Sequence, residues 1–224
     1  MPDRFDDDWS PDGSSWEPTE YPREFYSEYH EAPFPRCVDC DRDLPGSDEV
    51  YSVIKSYVAG ETVFEMAICA DCSMRLAESY SAKSRQAFEA RIRDWKERQA
   101  AARAATDNEN APNREPVDAD WSPADTLRLE AGAVENLKRC AGCGRSREEC
   151  HRYAIIGAFW GDRLVSAPAA HVHLPLLVCD HCNSQASENI SQQTRDTWDR
   201  FVESHFDGPP GIELDMPKVD PVML

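Results

Sequence analysis

The sequence contains no apolar run long enough to cross a bilayer. Its longest apolar stretches lie at residues 154–160 and 174–179, whereas a transmembrane helix needs about 20 apolar residues in succession. The amino-terminal residues, MPDRFDDDWS, lack the basic and then apolar pattern of a secretory signal. These absences predict a chain with neither a membrane span nor a secretory leader, and we expect a cytoplasmic location.

Positive charge is also scarce. The 224 residues include 24 Lys and Arg against 42 Asp and Glu, which gives a formal net charge of −18. Nucleic acids and anionic membranes are polyanions, and their binding requires a basic protein surface. The charge balance therefore argues against a general affinity for either partner.

Apolar residues are fewer than one well-packed core of this length requires. They make up 41% of the chain, which also contains 16 prolines. Charge repulsion and proline favour an extended chain. We therefore predict a flexible linker at residues 105–121 and disordered acidic tails at 1–36 and 209–224. A few of the eight aromatic side chains in residues 1–36 are expected to rest on the folded part.

Two similar segments account for the rest of the chain. Each begins with a Cys-x-x-Cys pair, continues into a strand-like run (51–57 and 153–159) that leads to a glycine, and returns to a second Cys-x-x-Cys pair. Beyond that pair the copies align without a gap for about twenty residues. This agreement indicates an internal duplication. It predicts that each copy is a unit in its own right, at 37–104 and 122–208.

Helical sequence follows the second cysteine pair of each copy. Ser81 and Ser191 are typical N-cap residues for these helices. In the first helix, Phe88 and Trp95 fall on one face. A further helix is predicted from residue 122 to about residue 138, ahead of the second copy's cysteines.

The four Cys-x-x-Cys pairs carry the strongest functional signal. A separation of two residues lets both sulfurs turn toward one point, and Zn²⁺ prefers four such ligands in a tetrahedron. Persistent disulfides are rare in a reducing cytosol, which favours metal–thiolate chemistry. The sequence therefore predicts two Zn²⁺ ions, one held by Cys37, Cys40, Cys69 and Cys72 and the other by Cys140, Cys143, Cys179 and Cys182.

Other uses of these cysteines stay open at this point. A redox-active Cys-x-x-Cys normally follows a strand in a βαβ unit and occurs singly, and four thiolates also hold iron–sulfur clusters. Ligands drawn from both copies would give crossed sites, although the matching order favours sequential pairing. A structural zinc is favoured because units of about 60–70 residues are only marginally stabilised by hydrophobic burial. Four sulfur ligands also leave no position open for a catalytic water.

The order of knuckle, β-hairpin and second knuckle opening a helix resembles the treble-clef group of zinc fingers. The resemblance rests on the ligand spacing and the following helix, and it covers about 130 of the 224 residues. It implies an α+β fold with two small zinc-binding units in tandem. Because this group is diverse in function, the resemblance implies a metal and an architecture but no activity.

The stretch from Leu174 to Asn183 is similar to the second knuckle of His-Asn-His endonucleases, which share the treble-clef frame. That resemblance implies His171 or His173 as a general base, with a divalent ion at the scissile phosphate. The family's basic residue after the last knuckle is missing here, and the first copy has no such histidines. Two histidines at this spacing also fit one face of an ordinary strand. We predict that the protein is not an enzyme, with a divergent nuclease as the second alternative.

The helix from Ala82 to Arg103 is locally basic, with seven basic and three acidic residues and a net charge of +4. A phosphate-contacting face that includes Arg91, Arg93 and Lys96 makes nucleic-acid binding the first alternative function. Basic side chains whose stems pack over the apolar stripe explain the same pattern. Attraction to the chain's own acidic tail explains it as well.

Cys150, the odd cysteine, lies beside His151 and has no counterpart in the first copy. We expect a small residue near the hairpin, since unpaired cysteine is commonly buried, with a reactive thiol as the alternative. His181, between two ligands, is expected to face solvent.

These observations converge on a binding or scaffold protein. Zinc fixes its shape, and its helices and acidic tails are predicted to contact a protein partner.

Overall fold

A computed structural model describes residues 21–107, 133–165 and 174–206 of the chain. These residues form a mixed α+β structure with one five-stranded antiparallel sheet and four α-helices. In chain order the elements are β1 Val50–Val58, β2 Glu61–Cys69, α1 Ala70–Ser79, α2 Ala82–Asp107, β3 Arg152–Trp160, β4 Arg163–Val165, β5 Leu176–Cys179, α3 Asp180–Ser187 and α4 Gln192–His205.

The two copies share a single sheet. Its order is β2-β1-β3-β4, and β5 also pairs with β3, so the first strands of the two copies lie side by side and antiparallel. The prediction that each copy is a unit in its own right is therefore wrong for the sheet. An isolated two-stranded hairpin is at best marginally stable. Pairing β1 with β3 joins the two hairpins through edges that each would otherwise expose.

The hairpin turns lie where the repeat places its glycines. Ala59 and Gly60, which join β1 to β2, have φ values of 52° and 87°. Two successive residues with positive φ are the hallmark of the tight turn that matches the twist of a hairpin. Gly161, with a φ of 59°, lies at the corresponding turn between β3 and β4.

Part of the predicted amino-terminal tail is packed against the sheet. Tyr21, Phe25 and Phe34 are buried, and Phe25 lies directly over Gly157 of β3, where an added Cβ would come within 2.8 Å of the Phe25 ring. The folded part thus begins well before Cys37. The expectation that a few aromatic side chains of residues 1–36 rest on the folded part is confirmed for these three. Composition averaged over the segment does not say which aromatic residues they are. Residues 1–20 lie outside the described residues.

The opposite face of the sheet is covered by helix side chains. Trp198 of α4 is buried, with its ring 6.4 Å from that of Phe64 on β2. The buried apolar side chains on both faces belong to one contiguous cluster. None of the helices in the described segments is both long and apolar enough to cross a membrane. Of the helix predicted from residue 122 to about 138, only a 3-10 helix at Ala133–Lys138 lies within the described residues.

Candidate metal centres

The first cysteine pair of each copy lies in a tight loop. The Cys37 N–H donates to Arg42 O at 2.9 Å, and the Asp41 N–H donates back to Cys37 O at 3.0 Å. The second copy repeats both bonds, with Cys140 donating to Arg145 O and Gly144 donating to Cys140 O, each at 2.8 Å. Asp41 and Gly144 hold equivalent places and both have a positive φ, at 58° and 73°. This turn aims the two sulfurs of each pair in one direction.

The second pair of each copy lies where a strand becomes a helix. Cys69 is the last residue of β2 and Cys72 lies in the first turn of α1. Cys179 and Cys182 have the same positions at the end of β5 and the start of α3. The strand-to-helix junction thus delivers two further sulfurs to each loop.

The structure brings the eight predicted cysteines together in two groups of four. Within each group the sulfurs all lie within 4.8 Å of one another. The Sγ–Sγ distance is 3.8 Å between Cys40 and Cys69 and 3.6 Å between Cys143 and Cys179. A tetrahedral ion with metal–sulfur bonds of about 2.3 Å separates its sulfurs by about 3.8 Å, whereas a disulfide needs about 2.05 Å. Each group could therefore hold one metal ion, and the grouping is sequential within each copy.

Backbone N–H groups point at the first sulfur of each group. The Cys69 N–H donates to Cys37 Sγ at 3.4 Å, and the Cys179 N–H donates to Cys140 Sγ at 3.3 Å. Burial raises the pKa of the Cys37 and Cys140 thiols, but backbone hydrogen bonds outweigh it and the net shift of each pKa is downward. Hydrogen bonds to the charged form stabilise a thiolate, the form that binds metal.

The two ligands at the strand-to-helix junction of each group oppose a second negative charge. Burial, followed by interactions with the neighbouring thiols, raises the pKa of Cys179 to about 11. The pKa of Cys72 is also raised, first by burial and then by its hydrogen bond to Asp39. A divalent cation held by the four sulfurs reverses this balance, since a coordinating thiol is deprotonated outright.

Arginine side chains lie beside both clusters. Arg75 of α1 donates to Cys72 Sγ at 2.9 Å and to the Asp39 carboxylate at 3.1 Å. Around the second cluster, Arg91 donates to Cys182 O and Arg98 to Gly142 O, both at 2.6 Å. The arginines around the second cluster come from α2, which belongs to the first copy. Such charges complement a four-thiolate site, which carries a net charge of about −2 with a divalent ion.

One cysteine of each cluster is exposed, Cys40 in the first and Cys143 in the second, and the others are buried or half-buried. Cys37, Cys69 and Cys72 are buried, and of the first cluster only Cys40 is exposed. Four sulfur ligands fill a tetrahedral coordination sphere and leave no position for water or substrate.

The other residues singled out by the sequence are not brought into these clusters. Cys150 is half-buried and donates to Ser146 O at 3.2 Å, and burial raises the pKa of its thiol. A raised thiol pKa is typical of an unreactive cysteine. His181 is exposed and Asn183 follows Cys182 on α3. The predicted nuclease residues His171 and His173 lie outside the described residues.

Sequence reasoning missed the contacts that α2 makes with the second cluster. Arg91, Trp95 and Arg98 follow one another at helical spacing and form a single stripe beside Gly142 and Cys182. The charge pattern alone gave no sign that these arginines donate to carbonyl groups. The available signal was the glycine between Cys140 and Cys143, which marks a close approach of another group.

Comparison with family models, with curated proteins and with solved structures gives no match to the chain.

Proposed function

We propose that the chain is a structural zinc protein, with one Zn²⁺ ion in each cluster, whose activity is the binding of a protein partner. The observation that carries this proposal is the pair of four-cysteine clusters, in each of which the sulfurs all lie within 4.8 Å of one another. Each follows the treble-clef order of loop, hairpin and strand-to-helix junction, and we propose that grouping for both copies. We also retain the cytoplasmic location that the cysteine content favours.

Zinc is the metal that the donor set supports best. Four thiolates in a tetrahedron select Zn²⁺ or iron. Sulfurs that all lie within 4.8 Å of one another enclose a single ion and leave no room for a cluster of several irons. Zn²⁺ has no redox chemistry and contributes about 10–16 kcal/mol of apparent binding energy to small folded domains.

We propose a cleft between α2 and α3 as the partner-binding surface. It has a volume of about 470 Å³ and lies beside the second cluster. A segment with carboxylate groups is the occupant we propose, because three cationic side chains and one acidic side chain face the cleft, along with the indole of Trp95. These residues are Lys83, Arg91, Arg98 and Asp94. The acidic ends of the sequence supply a second contact in this proposal, supported by charge alone.

Nucleic-acid binding through α2 has less support. Three of its seven basic residues donate to backbone carbonyl groups within the protein: Arg85 to Glu78 O and Tyr80 O, Arg91 to Cys182 O and Arg98 to Gly142 O. Their positions follow from packing inside this chain and need no phosphate. Catalysis is likewise not part of the proposal, because the clusters leave no open coordination position.

Native mass spectrometry tests the metal proposal. The purified protein is expected to carry two Zn²⁺ ions, and chelation at neutral pH is expected to abolish the helical circular dichroism. A protein that contains no zinc as purified would contradict the proposal, and so would a metal-free protein with unchanged spectra.

The cleft is tested with a matched pair of substitutions. Gln185→Glu adds a negative charge at the cleft lining, and Gln193→Glu adds the same charge on the exposed surface of α4. Proteins captured from a cell extract are quantified for each variant. A partner bound through the cleft is expected to be lost with Gln185→Glu and retained with Gln193→Glu. Equal capture by both variants would exclude this surface.

A further inference from the structure

The two copies are related by a pseudo-two-fold axis through the centre of the sheet. In the repeat, Ile54 of β1 corresponds to Ile156 of β3, and these two residues are paired directly across the strands. On either side of them Tyr51 pairs with Phe159, and Tyr57 pairs with Tyr153. When two identical strands pair across the two-fold axis of a symmetric dimer, the same residue of each strand lies at the centre of the pairing. The pairing of β1 with β3 has this register.

The helix starts meet on the same axis and cap each other. Ser81 and Ser191 are the residues before α2 and α4, and each hydroxyl accepts from the N–H three residues further along its own helix. The return bond of an ordinary capping box comes from the same helix. Here it is exchanged: the Ser81 N–H donates to Thr194 Oγ1 at 3.1 Å, and the Ser191 N–H donates to Ser84 Oγ at 3.0 Å.

From this junction each long helix reaches the metal cluster of the other copy. On α2, Arg98 donates to the carbonyl of Gly142, which lies between Cys140 and Cys143. On α4, His205 lies 3.2 Å from the carboxylate of Asp39, which holds the equivalent place between Cys37 and Cys40.

The contacts between each long helix and the opposite cysteine loop involve equivalent residues. Trp95 and His205 are equivalent positions in the aligned helices, and each lies against the cysteine loop of the opposite copy. Arg91 adds a second bond from α2 to the second cluster, at Cys182 O. Because equivalent positions make reciprocal contacts, we attribute the contacts to the way the two copies pack together and not to one particular side chain.

We infer that the two metal sites are coupled: each is braced by the long helix that follows the other site, so neither copy holds its metal independently. Arg91, Arg98 and His205 are positioning residues in this arrangement. They orient the cysteine loops from outside and do not touch a metal. Groups that orient metal ligands typically change metal affinity by about 10–100-fold when they are removed. This inference rests on the proposed binding of zinc.

The test measures zinc release from each cluster separately in the full-length protein. A chelator is added, cysteines freed of metal are alkylated at timed intervals, and peptide mass spectrometry reports each cluster's rate. Arg98→Gln is expected to speed release from the second cluster about tenfold, although α2 belongs to the first copy. Arg93→Gln, an exposed position on the same helix, is the matched control and is expected to leave both rates unchanged.

A second arm tests the coupling between the sites. Cys143→Ser weakens the second cluster, and release from the first cluster is expected to become about tenfold faster as well. Two independent sites would instead leave the first cluster's rate within about twofold of wild type, and Arg98→Gln would then behave like Arg93→Gln; these results overturn the coupling alone. Wild-type protein without zinc would overturn the proposed function and the coupling with it.

Discussion

At the scale of single residues, Gly142 shows how tightly the cysteine loop of the second copy is packed. A Cβ added there would lie 2.8 Å from Cys182 Sγ and 3.2 Å from the indole nitrogen of Trp95. The first copy has Asp39 at the equivalent place, where α4 presents the smaller ring of His205. The glycine is therefore required by the close approach of Cys182 and Trp95 and not by the turn itself.

We predict that Gly142→Ala weakens the second metal site selectively. The added methyl group pushes on both a ligand and the helix that braces it, and we expect about a tenfold loss of zinc affinity there. Competition with a chelator, read by alkylation of each cluster, measures this. Gly60→Ala is the control, because Gly60 has a φ of 87° and open space around it. It is expected to cost about 1–2 kcal/mol of stability while both ions stay bound.

Lys55 is the buried cation of the sheet. Its side chain is 2% exposed, and its ammonium donates to Tyr26 O at 2.5 Å and to Glu28 at 3.0 Å, with Glu65 at 3.4 Å. Burial lowers the pKa of Lys55, but the hydrogen bond to Glu28 and the nearby Tyr57 and Glu65 outweigh it, and the net shift is upward. The lysine thus ties the amino-terminal segment to the sheet as a charged group.

Lys55→Met is predicted to destabilise the protein by about 2 kcal/mol, because it leaves Glu65 without its charge partner. Urea unfolding measures the loss, and Lys96→Met on the exposed surface is expected to stay within about 0.5 kcal/mol of wild type. Because the pKa of Lys55 is raised in the folded state, the difference in unfolding free energy between wild type and Lys55→Met should stay constant up to about pH 10.5. It should then shrink as the pH rises through the folded-state pKa. A difference that grows above pH 10.5 would contradict this assignment.

At the scale of elements, hydrogen bonds to the hydroxyls of Ser84 and Thr194 connect the start of α2 with the start of α4. The sequence pattern treats these helices as separate. Ser84 and Thr194 are fully buried, and each accepts the backbone N–H that begins the opposite helix. Loss of either hydroxyl leaves the N–H of a half-buried residue, Ser81 or Ser191, without its acceptor, which costs more than losing a fully exposed cap.

Ser84→Ala and Thr194→Val are each predicted to lower the free energy of unfolding by about 1–2 kcal/mol. The exposed Ser184→Ala on α3 serves as the control and should change stability by less than about 0.5 kcal/mol. The double variant should lose less than the sum of the single losses, since the two hydroxyls belong to one network. Additive losses in a thermal or urea double-mutant cycle would show that the caps act independently.

The elements themselves follow from local sequence, whereas their assembly does not. Cysteine spacing predicted the two groups of four, and the serines before α2 and α4 predicted the helix starts. Nothing local specifies that Ile54 pairs with Ile156, about 100 residues away, because both hairpins present equivalent edges. Phe25 is a similar case: its burial depends on the absence of a side chain at Gly157, which an acidic amino-terminal composition cannot report.

At the scale of the whole molecule, the described parts of the two copies are arranged about a pseudo-two-fold axis, like the subunits of a symmetric dimer. Neither copy forms the sheet alone, because β1 of the first copy pairs with β3 of the second. Each cysteine loop is also contacted by the long helix of the opposite copy, the second loop by α2 and the first by α4. Small folded units depend on metal for stability, and in the coupling that we propose this dependence is shared between the two clusters.

The last prediction follows from this sharing. A chain divided between residues 120 and 121, outside the described segments, is expected to give two halves that neither fold nor retain zinc when each is produced alone. Each half lacks one partner strand and one bracing helix. When the halves are produced together, we expect a 1:1 complex with two Zn²⁺ ions, measured by native mass spectrometry and circular dichroism. Carrying Ser84→Ala in one half and Thr194→Val in the other should weaken the complex, whereas Ser184→Ala should not. A half that folds alone with a stably bound ion would show that the copies are independent domains after all.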